Sequence, residues 1–157
     1  MIWKYDNLRI RVYKALGELM RKKIVFGILT ILVVVGIMLL TFQGPEDTMK
    51  LSEGARGFLA RLGFLVESHA LRSNIHLLEY FIAGLVFTLF NEAMGWKRWL
   101  PVLLGCAFGL MDELIKIPLP TREFDAVDLV KDWIGVSVAF ALVQLCIFLR
   151  GRRSKNH

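Results

Sequence analysis

The chain has 157 residues, 55% of them hydrophobic, with a mean hydropathy of +0.52. That is more apolar than a soluble domain of this size carries, and the length suits one domain with about four membrane spans of roughly 20 residues each. The formal charge of +6 is uneven: Lys4, Arg9, Arg11, Lys14, Arg21, Lys22 and Lys23 crowd one end, and Arg150, Arg152, Arg153 and Lys155 the other. These basic groups flank apolar runs directly, which points to membrane orientation and anionic lipid and away from nucleic acid as a partner. The two cysteines, Cys106 and Cys146, lie in apolar runs. They form no disulfide framework and no metal-ligand spacing, and read as reduced, buried packing residues.

In chain order, Leu8, Val12, Leu16 and Leu19 recur at helical spacing while Arg11, Lys14, Glu18 and Arg21 take the other faces. This predicts an amphipathic interfacial helix over about 6–22. Residues 24–42 carry no charge, and at about 1.5 Å per residue they match the hydrocarbon thickness, so they predict a permanent first span. A second interfacial helix is expected over about 48–67. There Leu51, Ala55, Phe58, Leu59, Leu62, Leu65 and Val66 share a face opposite Lys50, Glu53, Arg56, Gly57 and Arg61. Further spans are expected over 75–90, 100–117 and 128–149. Pro101 is tolerated in a first turn, and Trp96 and Trp99 fall at a membrane interface. The fold class is therefore all-α: a polytopic membrane protein of four transmembrane helices plus amphipathic interfacial helices. The distribution of Lys and Arg puts both termini in the cytoplasm.

That topology gathers the ionisable residues at the outer ends of the spans. His76, Glu79 and Tyr80 open the second span on one helical face, at i, i+3 and i+4. Asp112, Glu113 and Lys116 close the third, ahead of Pro118 and Pro120. Arg122 sits in the turn, and Asp128, Lys131 and Asp132 open the fourth. Adjacent helical residues point about 100° apart, so Glu113 is expected inward and Asp112 capping or pairing with Lys116. Gly105, Gly109, Gly135 and Ala139 would let helices approach closely beneath these charges, and Gly27, Gly36 and Gly84 read as packing residues too. Ionisable residues at membrane depth are a functional-site signal by default.

Three readings stand. In the first, His76, Glu79, Glu113, Asp128 and Asp132 carry acid/base chemistry on a lipid-linked envelope substrate. Arg72, Tyr80, Asp112, Lys116 and Arg122 then bind it, the arginines holding a phosphate or carboxylate. In the second, the same pocket captures a lipid head group or amphiphile without chemistry. In the third, the charges form a structural ion-pair network, with His76 simply bonded to Glu79. No cofactor is indicated. A divalent metal is a variant of the first two readings, since one histidine with several carboxylates suits it, but no HExxH-type spacing is present and no metal ligands are assigned.

These residues also carry a resemblance. LRSNIHLLEY resembles the R-K-x-x-H-x-x-E-Y signature of the VanZ-like family, and DELIKIPLPTREFDAVDLVKDWIG resembles its D-E-x-x-Q-x-x-x-P-G-R signature with the following Asp, Asn/Asp and Gly. The matching positions are Arg72, His76, Glu79, Tyr80, Asp112, Glu113, Arg122, Asp128, Asp132 and Gly135. Departures are Ser73 for Lys, Lys116 for Gln and Thr121 for Gly. The resemblance implies a multi-pass protein of the bacterial inner membrane, from the group named for teicoplanin resistance. Its expected partner is a membrane lipid, a lipid-linked envelope component or a glycopeptide antibiotic.

Overall fold

The computed structural model describes residues 2–42, 68–120 and 123–153, with Lys50, Glu53, Gly54, Gly57, Ala60 and Arg61 between them; side chains are described from Tyr13 in the first helix and from Asn74 in the second. Four helices make up the long described segments: α1 (Ile2–Phe42), α2 (Ser68–Met94), α3 (Leu100–Lys116) and α4 (Ala126–Arg153). No strand occurs among the described residues. The six described positions between 50 and 61 are helical and exposed; Lys50, Glu53, Gly57 and Arg61 of the expected polar face are among them. The apolar residues Leu51, Ala55, Phe58, Leu59, Leu62, Leu65 and Val66, and Arg56, lie outside the described residues.

Three helical stretches are long and apolar enough to cross a membrane: Tyr13–Phe42, Asn74–Met94 and Ala126–Arg153. The expected boundaries need correction in several places. The interfacial helix of 6–22 and the span of 24–42 are one continuous 41-residue helix. Arg21, Lys22 and Lys23 are good helix formers, and no proline or capping residue interrupts the backbone there. α2 extends beyond 75–90 at both ends. It stops where Gly95 adopts φ +72° and its N–H bonds Asn91 C=O at 2.9 Å, a left-handed helix end. α4 starts before Asp128 because Asp125 caps it: Val127 N–H donates to Asp125 Oδ1 at 2.7 Å. α3 has 17 residues. It begins with Pro101 in its first turn and ends just ahead of Pro118 and Pro120, whose rings cannot continue a helix.

α2 and α4 run parallel and pack most extensively, with α3 running the opposite way against both and α1 lying along α2. Glycines set the approach. A Cβ on Gly135 would lie 2.6 Å from Leu77 O and 2.8 Å from Phe81 N, and one on Gly84 would lie 2.8 Å from Val136 Cα. A Cβ on Gly105 would lie 2.6 Å from Val136 Cγ1. These close packings are what the small-residue pattern leads one to expect. Gly36 is the exception, with nothing within 4 Å of its Cβ position among the described residues.

Burial is inverted relative to a soluble protein. Ile24, Ile28, Leu32, Leu103, Leu142 and Phe148 are exposed, while Thr41, Thr88, Asn91, Asp112, Glu113, Lys116 and Asp132 are buried. The apolar core is small: Ile37, Tyr80, Ala83, Phe108 and Val136, with the Tyr80 and Phe108 rings 5.9 Å apart. An apolar exterior around a polar interior is the pattern that helices surrounded by lipid would show. The cysteines do not occupy the core: Cys106 is half-buried and Cys146 exposed, both as free thiols.

Candidate functional site

Because α3 opposes α2 and α4, the start of α2, the end of α3 and the start of α4 meet at one end of the bundle. His76, Glu79, Tyr80, Asp112, Glu113, Lys116, Asp128, Lys131 and Asp132 all lie there. The Arg122 position and the Arg72 side chain lie outside the described residues.

The floor of the site is fully enclosed. Asp132 and Glu113 are 0% exposed and Asp112 is 1% exposed. Glu113 faces inward as expected, and Asp112, expected to cap or to pair with Lys116, lies beside Lys116 and is buried as well. A second wall explains this: Asp112 Oδ1 accepts the hydroxyl of Thr41 from the last turn of α1. Glu113 faces the α3–α4 connection, where Lys116 donates to its Oε1 and the backbone N–H of Asp125 donates to Oε2 at 3.1 Å. Lys116 Nζ also lies 3.6 Å from Asp112 Oδ2. One buried ammonium therefore serves two buried carboxylates. Thr41 is the site residue that sequence reasoning missed. Its signal is a lone hydroxyl residue in the last turn of an apolar span, at the end where the charges gather.

The rim is more open. His76, Glu79 and Asp128 retain 19%, 21% and 22% side-chain exposure. His76 spans rim and floor, with Nε2 3.6 Å from Asp128 Oδ2 and Nδ1 3.6 Å from Asp132 Oδ1. Glu79 Oε2 is 3.9 Å from Nδ1. Lys131 bonds Asp128 Oδ1 at 2.9 Å, which fixes the outer carboxylate. Gly109 gives Asp132 and Tyr80 their room, since a Cβ there would lie 3.2 Å from Asp132 Cβ and 3.3 Å from Tyr80 Cε1.

Among the described residues, unsatisfied polar atoms are concentrated here. The buried side-chain atoms without a hydrogen-bond partner are His76 Nδ1, Tyr80 OH, both carboxylate oxygens of Asp132 and, at the far end of the bundle, Asn91 Oδ1. Four of these five line the same small volume. Buried polar groups are nearly always paired, so a concentrated deficit marks space shaped for something else. His76, Asp112, Glu113 and Asp132 each offer one ligand atom, and these atoms all lie within 4.8 Å of one another. They could hold a cation. They could also carry protons, since an imidazole lies between carboxylates that approach both of its ring nitrogens.

The opposite end of the bundle is different in kind. An apolar pocket of about 240 Å³ lies there between Phe87, Phe90, Trp96, Pro101, Leu104 and Phe108. Trp96 and Trp99 are exposed beside it, and Lys97 Nζ sits 5.9 Å from the centre of the Trp99 ring. Amphipathic rings and a lysine together suit a head-group boundary. No protein family, curated protein or solved structure matches the chain.

Proposed function

We propose that the chain is a VanZ-like integral protein of the bacterial cytoplasmic membrane, with four spans and both termini inside, whose acidic pocket opens outward to engage a lipid-linked envelope component or another amphiphile. α3 serves as the remaining span. Its exposed residues Leu103, Leu104, Leu110, Met111 and Leu114, and Ile117 just beyond its end, are all apolar, a surface suited to lipid. The terminal arginines and lysines, with Lys97 and Arg98 in the α2–α3 loop, support the orientation.

One observation carries the pocket: Asp132 is 0% exposed, yet neither carboxylate oxygen has a hydrogen-bond partner. A network kept only for architecture would satisfy those oxygens, because an unpaired buried charge costs several kcal/mol. Support for chemistry beyond binding comes from His76, held at 3.6 Å from Asp128 and 3.6 Å from Asp132 through different ring nitrogens. In that reading His76 moves the proton and the carboxylates orient it, as in a hydrolase or transferase. The link to glycopeptide resistance rests on the family resemblance.

The test uses the full chain in lipid nanodiscs with a photoreactive lipid-linked cell-wall precursor. Crosslinking should fall at least tenfold in His76→Ala and in Glu113→Gln while abundance and helicity are unchanged. Equal crosslinking in wild type and both folded variants would remove the pocket as the binding site.

A further inference from the structure

We infer that the pocket binds one divalent transition-metal ion of the Mn2+, Fe2+ or Zn2+ kind through His76, Asp112, Glu113 and Asp132, and that this ion bridges the acidic floor to an anionic head group. The ion site stands on geometry; its bridging role rests on the pocket proposed above.

Size comes first. Two ligand atoms on opposite sides of an ion, each at about 2.1 Å, are about 4.2 Å apart. The four candidate atoms already lie within 4.8 Å of one another, so side-chain rotations with no backbone movement would complete a coordination sphere. Chemistry comes second. One imidazole nitrogen with carboxylate oxygens suits Mn2+, Fe2+ and Zn2+, whereas Mg2+ and Ca2+ prefer oxygen alone.

Charge is the third consideration. Asp112, Glu113 and Asp132 are buried with a single buried ammonium, Lys116, among them. Ionised, these three carry two negative charges more than Lys116 balances among the described residues, the complement of one divalent ion. Charges removed from water need a partner, and a metal is one of the few that fits.

The orphaned atoms point the same way. Asp132 is wholly buried with both oxygens unpartnered, and His76 Nδ1 is unpartnered 3.6 Å from one of them. Asp112 and Glu113 already have fixed orientations, from the Thr41 hydroxyl, the Lys116 ammonium and the Asp125 N–H. Ligating carboxylates are commonly held by such outer hydrogen bonds. The partly exposed rim of His76, Glu79 and Asp128 provides the route in. The bridging role follows from the acidity of the floor. It repels a phosphate or carboxylate head group until a cation sits between them.

The experiment uses the full chain in nanodiscs, stripped with a chelator and titrated with Mn2+ followed by electron paramagnetic resonance, then with Zn2+ as competitor. The expected result is one Mn2+ per chain, displaced by Zn2+. Affinity should fall at least tenfold in Asp132→Asn and in His76→Ala, while Gln144→Ala, at the other end of α4, binds as wild type. Circular dichroism and gel filtration establish that each variant is folded. Folded wild-type protein that takes up neither ion overturns the inference, as does uptake unchanged in both folded ligand variants. A second arm repeats the precursor crosslinking with and without Mn2+. Metal-dependent crosslinking supports the bridge. Crosslinking that ignores the metal overturns the bridge and leaves the pocket proposal standing. Mn2+ bound through these residues with no crosslinking at all supports the ion site and removes the lipid ligand.

Discussion

The Thr41 hydroxyl donates to the Asp112 carboxylate, joining the end of α1 to the end of α3 across 71 positions of sequence. The same hydroxyl also lies 3.0 Å from Ile37 O, one turn back. A threonine has only one proton to give, and an ionised carboxylate is the stronger acceptor. α1 meets α3 only narrowly, so this bond is a main tie between them. Thr41→Val keeps the shape and removes the donor. It should cost about 1–3 kcal/mol, read as a lower midpoint in reversible unfolding in mixed micelles. Thr41→Ser should recover most of the loss; a valine variant as stable as wild type would show that the bond contributes nothing.

A second prediction separates two glycines on different helices. Gly135→Ala would drive a methyl against Leu77 O and Phe81 N. Both are backbone atoms that cannot swing aside, so α2 and α4 must part. Overpacking of this kind costs about 1–3 kcal/mol or more. It would also pull His76 from Asp132, three residues before Gly135. Gly36→Ala meets nothing within 4 Å and should be neutral or stabilising by up to about 1 kcal/mol, since alanine suits a helix interior better than glycine. Unfolding midpoints that move the same way in both variants would contradict this packing account.

Lys116 yields a prediction about coupling. It bonds Glu113, lies 3.6 Å from Asp112, and is only 4% exposed. Removing its charge while Glu113 stays ionised leaves buried carboxylates without their ammonium, at a cost of about 3–5 kcal/mol. With chelator present, Lys116→Gln should therefore be strongly destabilising. The double variant Lys116→Gln with Glu113→Gln should be less unstable than the two single losses added together, by about 1–3 kcal/mol. Losses that add to within about 0.5 kcal/mol would show the pair to be uncoupled.

Orientation has a direct test. Glu123 is exposed beside the site, and Lys97 is exposed in the loop at the opposite end. In a background with Cys106 and Cys146 replaced by alanine, Glu123→Cys should react with an impermeant maleimide on intact cells. Lys97→Cys should react only after the membrane is opened. The reverse pattern would turn the pocket toward the cytoplasm.

Much of this arrangement is legible in the sequence because helical spacing decides it. His76, Glu79 and Tyr80 share a face by their i, i+3 and i+4 positions. The seating of Gly105, Gly84 and Gly135 follows from the same periodicity. What spacing cannot convey is which helix lies beyond a given face. Asp112 is buried because α1 closes over it with Thr41, a contact between residues with no local relation. Topology gathers the candidate ligands at one end, His76 from α2, Asp112 and Glu113 from α3 and Asp132 from α4, but no linear motif tells which of the ionisable residues there meet. The separate helix expected over 6–22 reflects a change of composition at Lys22–Lys23 that the backbone does not register. Polarity changes there, but helix propensity does not.

The brevity of α3 bears on the membrane itself. Seventeen residues rise about 26 Å, against a hydrocarbon thickness of about 30 Å. In the proposed four-span arrangement, packing against α2 and α4 holds the helix in place and its prolines forbid lengthening, so the lipid would have to yield. A local dimple in the leaflet would meet the shortfall. At the Lys116 end it would bring head groups and water down to His76 and Asp128 and spare the proposed ligand a climb out of the bilayer.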